Sequence, residues 1–263
     1  MTQRVRVEVA THLAEVILAR PEKMNALDEA MFEQLAAAGD ALRAREDLRC
    51  VLLRGEGDNF CSGIDIASLG ALAADMDKLR MRLLEPASGE MANFFQRPAI
   101  VWQQLDVPVI AVLRGAVFGG GLQIALGADL RFAYPDARLS VMEVKWGLIP
   151  DMGITRSLPR LVRSDIAKEL LWSGRIVPAA EAQTLGLVTR VDDDALAAAR
   201  AFANSIARQS PDAIRRGKHL LDQGWNLPAA ESLRLEAELQ LQILAQPGLR
   251  EAMAASVAGR KAT

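Results

Sequence analysis

Three consecutive glycines, Gly119 to Gly121, constrain the fold of this chain more than any other feature of its sequence. The segment before them, Val107 to Leu113, is apolar and is typical of a buried strand, and Leu122 to Leu126 has the pattern of a helix. Glycine permits unusual backbone dihedrals and lets a ligand approach the main chain closely. The start of a helix adds unpaired N–H groups and a positive dipole end. The sequence therefore predicts a strand-to-helix turn that can hold a negatively charged oxygen.

Two familiar anion-binding turns do not match this segment. A Walker loop needs a lysine directly after its last glycine, where this chain has Leu122. The dinucleotide fingerprint Gly-x-Gly-x-x-Gly has a different spacing. The glycines alone leave two interpretations open. One is an oxyanion hole for a thioester enolate, and the other is a tight turn that only packs a helix on a sheet.

A second segment, Phe60-Cys-Ser-Gly-Ile-Asp65, also follows an apolar strand-like run and precedes a helix-like run. A second N–H donor could come from this segment. Ser62 invites a nucleophile interpretation, but no Gly-x-Ser-x-Gly elbow surrounds it. The chain has two histidines, His12 in a predicted hairpin turn and His219 on a late helix. A Ser-His-Asp hydrolase is therefore poorly supported.

Strand and helix patterns alternate over the first two thirds of the chain, which indicates an α/β fold. Two short strands are predicted within residues 4–18, and Asp28 is a candidate N-cap for a helix that runs to about Arg45. Residues 66–106 have the weakest pattern. From Asp151 onward the pattern is mostly helical, with helices predicted at about 165–173, 194–209, 211–223, 228–245 and 249–259.

Composition excludes several function classes. The formal net charge is −2, so no basic footprint for nucleic acid is present. Cys50 and Cys61 form no Cys-x-x-Cys pair, and Cys50 is typical of a small core residue. No apolar run reaches the roughly 18 residues that span a bilayer, and no signal peptide is recognised at the N-terminus. We therefore expect a cytoplasmic protein with no nucleic-acid or membrane partner.

Taken together, the two glycine-containing segments resemble those of the crotonase (enoyl-CoA hydratase/isomerase) family. The similarity spans nearly the whole chain, and its specificity comes from the order and spacing of several short pieces. Those pieces are Arg20-Pro-Glu-Lys-Met-Asn-Ala-Leu27, Phe60–Asp65, Pro108–Gly121, Asp129-Leu-Arg-Phe-Ala, Met142-Glu-Val-Lys-Trp-Gly-Leu-Ile-Pro150 and Leu158-Pro-Arg-Leu-Val162.

The resemblance implies a crotonase-like spiral of ββα turns with a C-terminal helical region. On this basis residues 1–195 form the core that binds CoA and substrate, and residues 196–263 serve oligomerisation and pocket closure. It also implies a homotrimer or a dimer of trimers. The expected substrate is an acyl-CoA thioester, and no separate cofactor is expected because coenzyme A is part of that substrate.

The resemblance also assigns the binding residues. The backbone N–H groups of Ser62 and Gly120 would hold the thioester oxygen and stabilise its enolate. Arg260 and Lys261 are candidates for contacts with the nucleotide end. The CoA moiety would lie along Lys23, Met24 and Ala26, and along Ser62, Gly63, Ile64, Asp65 and Ile66.

The catalytic carboxylates depart from the hydratase pattern. Family hydratases place their first glutamate where this chain has Gln123, which exchanges no proton near neutral pH. The second glutamate is present as Glu143, whose apolar surroundings would raise its pKa. Asp151, where hydratases usually have glycine, could be a second proton carrier or the N-cap of a helix near Met152. The expected activity is hydration or isomerisation of an enoyl-CoA, with Glu143 as acid and base.

Two alternatives stay open at this point. Because Gln123 replaces the first hydratase glutamate, the chain could be an enoyl- or dienoyl-CoA isomerase, and not a hydratase. It could also be an acyl-CoA-binding protein without catalysis, in which Gln123 is a relic. Glu143 and Asp151 favour an enzyme, because a pure binder needs neither.

Overall fold

The computed structural model describes residues 2–86 and 89–245, with an α/β architecture built on two sheets. The strands in this part are β1 Val5–Ala10, β2 Leu13–Leu18, β3 Cys50–Gly55, β4 Val109–Leu113, β5 Ala116–Phe118, β6 Leu130–Ala133, β7 Arg138–Ser140, β8 Val177–Pro178 and β9 Arg190–Val191. The α-helices are α1 Glu29–Arg43, α2 Ile66–Ala73, α3 Met76–Leu84, α4 Arg97–Ile100, α5 Gly120–Leu126, α6 Ile154–Ser157, α7 Ser164–Ser173, α8 Ala179–Leu185, α9 Ala195–Ala207, α10 Pro211–Gly224 and α11 Ala229–Leu244.

The larger sheet has six strands in the order β1-β2-β3-β4-β6-β9. Only its first pair is antiparallel, and the remaining pairs are parallel. Strand β4 is buried along its whole length, as expected for a central parallel strand covered on both faces. The smaller sheet has the order β5-β7-β8 and begins directly after β4. Residues 114–115 therefore link the two sheets, and α5 begins two residues after β5.

Helices cover both faces of the larger sheet. On one face, the apolar side of α1 packs with Val51 and Leu53 in the main core cluster. On the other face, small residues of α9 pack over Cys50 and Leu52. The alternation along β3 explains this arrangement, because successive strand side chains point to opposite faces. Of the described helices, none combines the length and the apolar character needed to cross a bilayer.

Several sequence-based elements are confirmed. Asp28 caps α1, and its side chain accepts a hydrogen bond from the Met31 N–H at 2.9 Å. The predicted helices near 165–173, 194–209, 211–223 and 228–245 correspond to α7, α9, α10 and α11. The short helix α8 was not predicted, because seven residues give too little periodicity. The helix predicted at about 249–259 lies outside the described residues.

A buried ion-pair cluster fixes α9 to the sheet. Glu15 on β2 is 8% exposed, and its carboxylate accepts from Arg54 Nε at 3.0 Å and from Arg200 Nε at 2.6 Å. Burial alone would raise the pKa of Glu15, but the two guanidinium groups hold it below its ordinary value of 4.5. A carboxyl with a lowered folded-state pKa stabilises the protein above its unfolded-state pKa, and this contribution is lost as pH falls through the folded-state value.

We expect Glu15→Gln to destabilise the protein by about 1–3 kcal/mol at neutral pH. This is less than a fully buried pair would cost, because Arg200 is partly exposed. Thermal unfolding across a pH series measures the effect. The difference in unfolding free energy between variant and wild type should become smaller below pH 4.5. The exposed pair of Arg234 and Glu238 provides the control, so Glu238→Gln should change little. An equal loss of stability in both variants would show that the Glu15 cluster is not the cause of the destabilisation.

Candidate active site

The triple-glycine turn lies directly against the 60–65 segment. The Cys61 N–H donates to Ala116 O and the Phe118 N–H donates to Cys61 O, each at 3.0 Å. An ideal Cβ on Gly121 would lie 2.6 Å from Cys61 O and 2.7 Å from Cys61 Cβ. Only glycine therefore allows this approach, and the two predicted oxyanion segments are in direct contact.

A third segment, residues 24–27, closes the arrangement. The Leu27 N–H donates to Gly63 O at 2.8 Å, and the Asp65 N–H donates to Leu27 O at 3.0 Å. These bonds place Ile64 beside Leu27 as an isolated parallel bridge. The start of the 60–65 segment is thus held by β5, and its end is held by residues 24–27.

Two asparagines that the sequence analysis did not single out hold these segments together. Asn25 is fully buried with φ +54, and its side-chain amide donates to Asn59 O at 2.8 Å and to Glu56 O at 3.0 Å. The Asn59 side chain in turn accepts from the Ala116 N–H at 2.9 Å. Their position in turns between predicted elements could have indicated this role, since asparagine tolerates positive φ and bonds to nearby backbone.

The amide donors differ from the prediction at one position. The Ser62 N–H already donates to Met24 O at 3.0 Å, so the assignment of Ser62 as a free oxyanion donor is wrong. The N–H of Ile64 has no acceptor in the described part of the chain, because its bridge with Leu27 uses the neighbouring Gly63 O and Asp65 N. The Gly120 N–H starts α5 and likewise has no acceptor among residues 2–86 and 89–245.

The main-chain amides that remain free at this junction are thus those of Ile64 and Gly120. An ideal Cβ on Gly63 would lie 3.7 Å from the Gly120 nitrogen, which shows how closely the two segments approach. Two free amides at adjacent segments suit a single oxygen that becomes negative, since backbone donors need no reorganisation.

The residues predicted to bind CoA lie at the rim of this arrangement. Lys23 and Met24 are exposed, Met24 has φ +49, and Ile66 is 61% exposed at the start of α2. Ala26 and Gly63 are buried. Asp65 is already engaged: its carboxylate binds Arg20 Nη1 at 2.7 Å and accepts from the Ala67 and Ser68 N–H groups.

Asp65 therefore orders the loop and the first turn of α2 and is not free for a ligand. Arg20 lowers the pKa of this carboxyl against the opposing effect of burial. Arg260 and Lys261 lie outside the described residues.

Glu143 lies in a single 3-10 turn after β7. Its Oε1 would be 3.3 Å from an ideal Cβ on Gly119, so the carboxylate rests against the glycine turn. Oε1 accepts from Gln123 Nε2 at 2.7 Å, whereas Oε2 is shielded from solvent and has no hydrogen-bond partner in the described part of the chain. Burial raises the pKa of Glu143 above its ordinary value of 4.5, as the sequence predicted. One carboxylate oxygen is thus fixed by Gln123, and the other is left unpaired.

Gln123 fixes the orientation of Glu143. Its side chain is 2% exposed on α5, and its Oε1 accepts from the Met152 N–H at 2.8 Å. A backbone N–H can only donate, so the atom facing Met152 must be the carbonyl oxygen, and the amide nitrogen must face Glu143. Both ends of the amide are occupied. Gln123 therefore positions the carboxylate and transfers no proton.

Asp151 is not a helix cap. Helix α6 begins at Ile154, its N-cap is Gly153, and no side chain caps it. Within the described residues, the Asp151 carboxylate makes no hydrogen bond to another residue. Desolvation raises the pKa of Asp151, and its negative charge contributes to the raised pKa of Glu143. The N-cap interpretation is therefore wrong, and an unengaged carboxyl group lies near Glu143.

The other reactive side chains do not form a second centre here. Ser62 Oγ lies 3.5 Å from Lys23 O, and both histidines are exposed, with His12 Nδ1 bonded to Asp47 O. Cys50 and Cys61 are free and buried, and burial raises both thiol pKa values to about 12. The geometry gives no support to a serine or cysteine nucleophile.

Several known proteins are similar to this chain in sequence and in fold. The family model for enoyl-CoA hydratase/isomerase matches residues 8–263. YngF of Bacillus subtilis, which carries the same hydratase/isomerase designation, is 34% identical over 95% of this chain and 94% of its own length. The mitochondrial Delta(3,5)-Delta(2,4)-dienoyl-CoA isomerase of Dictyostelium discoideum is 28% identical over 84% of this chain and 79% of its own length. The crystal structure of enoyl-CoA hydratase from Bacillus anthracis superposes with a TM-score of 0.89, at 28% identity, over 98% of this chain and 97% of that one.

The structural agreement confirms the predicted crotonase-like α/β fold with its C-terminal helical region. The match extends over nearly the whole chain in both sequence and fold, and the chain belongs to the enoyl-CoA hydratase/isomerase (crotonase) family.

Proposed function

We propose that the protein isomerises the double bond of an enoyl-CoA thioester, with Glu143 as the proton carrier. The observation that supports this most directly is the Gln123–Glu143 hydrogen bond at 2.7 Å. It fixes one oxygen of Glu143 and leaves the other unpaired in the described residues, beside the glycine turn that carries the Gly120 amide. One base that removes a proton and returns it to a nearby carbon performs a 1,3-shift, and an isomerisation needs no second acid.

The reaction follows from this arrangement. The thioester oxygen lies between the N–H groups of Ile64 and Gly120, which stabilise negative charge on it. Glu143 Oε2 removes a proton from C2 of a 3-enoyl thioester, and the electron pair spreads to the thioester oxygen as a dienolate. The carboxylic acid then returns the proton to C4, and the double bond moves to C2–C3. The raised pKa of Glu143 favours both steps, because it brings the acid and base forms closer in energy.

Hydration makes a different demand on the site. Water addition requires activation of the water and delivery of a proton to C2, which two carboxyl groups can share. Gln123 occupies the position of the first hydratase glutamate, and its amide exchanges no proton near neutral pH. Isomerisation therefore fits the observed side chains better than hydration.

Asp151 supports a second candidate of the same family. Its carboxyl group has no partner among the described residues, and it lies close enough to influence the pKa of Glu143. A second carrier at this position would allow protons to move over a longer conjugated system. A 3,5-dienoyl thioester is therefore the alternative substrate, with Glu143 and Asp151 at the two ends of the shift.

Changing Gln123 to glutamate tests the assignment. We expect wild-type protein to isomerise 3-enoyl-CoA faster than it hydrates crotonyl-CoA, and Gln123→Glu to raise the hydration rate, because it restores a second carboxyl group. Mass spectrometry detects the added water, and chromatography separates the position isomers. Gln123→Met is the matched control, since it has similar length and no ionisable group, and it should not gain hydration.

Two results would contradict the proposal. Rapid hydration of crotonyl-CoA by wild-type protein would show that Gln123 does not limit water addition. Binding of the esters without turnover of 3-enoyl, 3,5-dienoyl or crotonyl substrates would favour a non-catalytic acyl-CoA-binding protein.

The assembly is also a proposal. We infer a homotrimer or a dimer of trimers, because large apolar side chains stay exposed on the single chain close to the site. Trp146 is 56% exposed, Ile149 is 75% exposed and Trp172 is 69% exposed. Contacts with further copies would remove these side chains from water.

A further inference from the structure

The direction of the Ile64 amide depends on a very short bridge. The Leu27 N–H donates to Gly63 O at 2.8 Å, and the Asp65 N–H donates to Leu27 O at 3.0 Å. This bridge pairs one residue with one residue, and its partner segment is a turn in which Asn25 has φ +54. Two hydrogen bonds between a loop and a turn give little rigidity, so other contacts must fix this amide.

One arginine supports both sides of the bridge. Arg20 lies two residues beyond β2 and is 9% exposed. Its Nη1 donates to Ala26 O at 3.1 Å and to Asp65 Oδ2 at 2.7 Å. The guanidinium therefore ties the residue before Leu27 to the residue after Ile64, and it holds both near the end of β2.

The Asp65 carboxylate completes this clamp. Its Oδ1 accepts from the N–H groups of Ala67 and Ser68 in the first turn of α2, at 2.9 and 3.3 Å. Both oxygens of Asp65 are thus engaged, one by Arg20 and the other by the helix. The peptide that carries the Ile64 N–H lies between anchored residues on both sides, so the clamp restricts its rotation.

A second arginine nearby lacks this connection. Arg20 Nη1 lies 3.6 Å from Asp28 Oδ2, and Arg4 Nη2 lies 2.8 Å from the same oxygen. Both arginines therefore support the N-cap of α1, but among the described residues only Arg20 contacts Asp65. Arg4 is a matched control, because its removal affects α1 and leaves the clamp in place.

We propose that Arg20 and Asp65 are positioning residues, which fix the Ile64 amide toward the thioester oxygen without contacting the substrate. This inference rests on the proposed function, because it explains how one donor of the amide pair is kept in place. Backbone donors stabilise an oxyanion strongly because they are oriented before the reaction begins. The clamp therefore contributes to kcat, and it contributes little to binding of the unreacted ester.

Removal of one partner should be more harmful than removal of both. Arg20→Met leaves a carboxylate without its cation, one residue from the amide that meets a negative oxygen. We expect kcat on 3-enoyl-CoA to fall by about tenfold or more, towards the 10²- to 10³-fold loss of a whole donor. The double variant Arg20→Met/Asp65→Asn should recover part of this loss, because the charge is gone. Arg4→Met should leave kcat unchanged.

Infrared difference spectroscopy measures the hydrogen bonds of the amide pair directly. A saturated acyl-CoA with an isotope-labelled thioester carbonyl binds without reacting, and hydrogen bonds to the carbonyl oxygen lower its C=O stretching frequency. We expect this lowering in the wild-type protein and in Arg4→Met, and a smaller lowering in Arg20→Met. A loss of folding stability alone does not change the frequency, whereas a displaced donor does.

The outcomes separate this inference from the proposed function. Unchanged kcat and carbonyl frequency in Arg20→Met would overturn the inference, and so would an equal loss in Arg4→Met. Should Arg20→Met fold poorly, Asp65→Asn tests the same pair, because its amide oxygen still accepts from α2 while the charge that pairs with Arg20 is removed. A normal kcat in that variant would likewise overturn the inference. A carbonyl frequency that is not lowered in the wild-type protein would contradict the amide pair itself, and with it the proposed function.

Discussion

Glu143→Gln should lower kcat on 3-enoyl-CoA by about 10²- to 10⁴-fold, the usual contribution of a positioned acid-base group. Binding of an unreactive acyl-CoA should survive, because the amides of Ile64 and Gly120, which we propose as the thioester donors, are untouched. Steady-state kinetics measure the first effect, and calorimetric titration with a saturated acyl-CoA measures the second.

The substitution is close to isosteric. The new side chain retains a carbonyl oxygen that can accept from Gln123 Nε2, so the contact that orients position 143 persists. Glu169→Gln serves as a control, because this carboxylate pairs with Arg175 at the partly exposed edge of α7. Retained turnover in Glu143→Gln would remove Glu143 from the mechanism.

Glu143 should also determine how the reaction rate depends on pH. Burial raises the pKa of Glu143 above 4.5, and the base is inactive when protonated. The kcat/KM of the wild-type enzyme should therefore fall as pH decreases through this raised value, and the step should be absent in Glu143→Gln.

Asp151→Asn separates the two possible roles of that carboxyl group. Removal of its negative charge should lower the pKa of Glu143 and move the acid limb to lower pH, with kcat nearly preserved. A loss of kcat comparable to that of Glu143→Gln would identify Asp151 as a second proton carrier.

The sequence predicted which segments lie together, but not which of their atoms are free. The strand-glycine-helix turn and the place of Glu143 follow from short-range pattern and motif spacing. The free amide at residue 64 does not, because it depends on a bridge to Leu27, far away in the sequence. Which N–H is used and which is free is a property of long-range pairing, and the Ser62 assignment was wrong for that reason.

Contacts between residues far apart in the sequence also explain other differences between the prediction and the structure. The role of Gln123 follows from two contacts, with Glu143 and with Met152, that no periodicity encodes. Asp151 lies where a helix cap would be expected, but the chain turns first at Gly153 with φ +84, so the helix begins three residues later. In residues 66–106, α2 and α3 are short and no residue of α3 is buried, so the apolar pattern there was weak.

Gly121→Ala should lower kcat by about 10²- to 10³-fold, the loss measured when one oxyanion donor is removed. The added methyl would lie 2.6 Å from Cys61 O and 2.7 Å from Cys61 Cβ. Neither atom can rotate away, because one is main chain and the other is fixed to it. The start of α5 must therefore move from the 60–65 segment, and the amides of Gly120 and Ile64 must separate.

This effect is distinguishable from simple destabilisation. Overpacking costs about 1–3 kcal/mol of folding free energy, which thermal unfolding reports independently of kcat. Gly217→Ala is the control: in the described residues no atom lies within 4 Å of its ideal Cβ, and alanine in a helix gains up to about 1 kcal/mol. A Gly121→Ala enzyme of lowered stability but unchanged kcat would show that the spacing of the two amides is not required. Stabilisation of the enolate by a pair of main-chain donors would then have no support, since the close contact at Gly121 is what sets their separation.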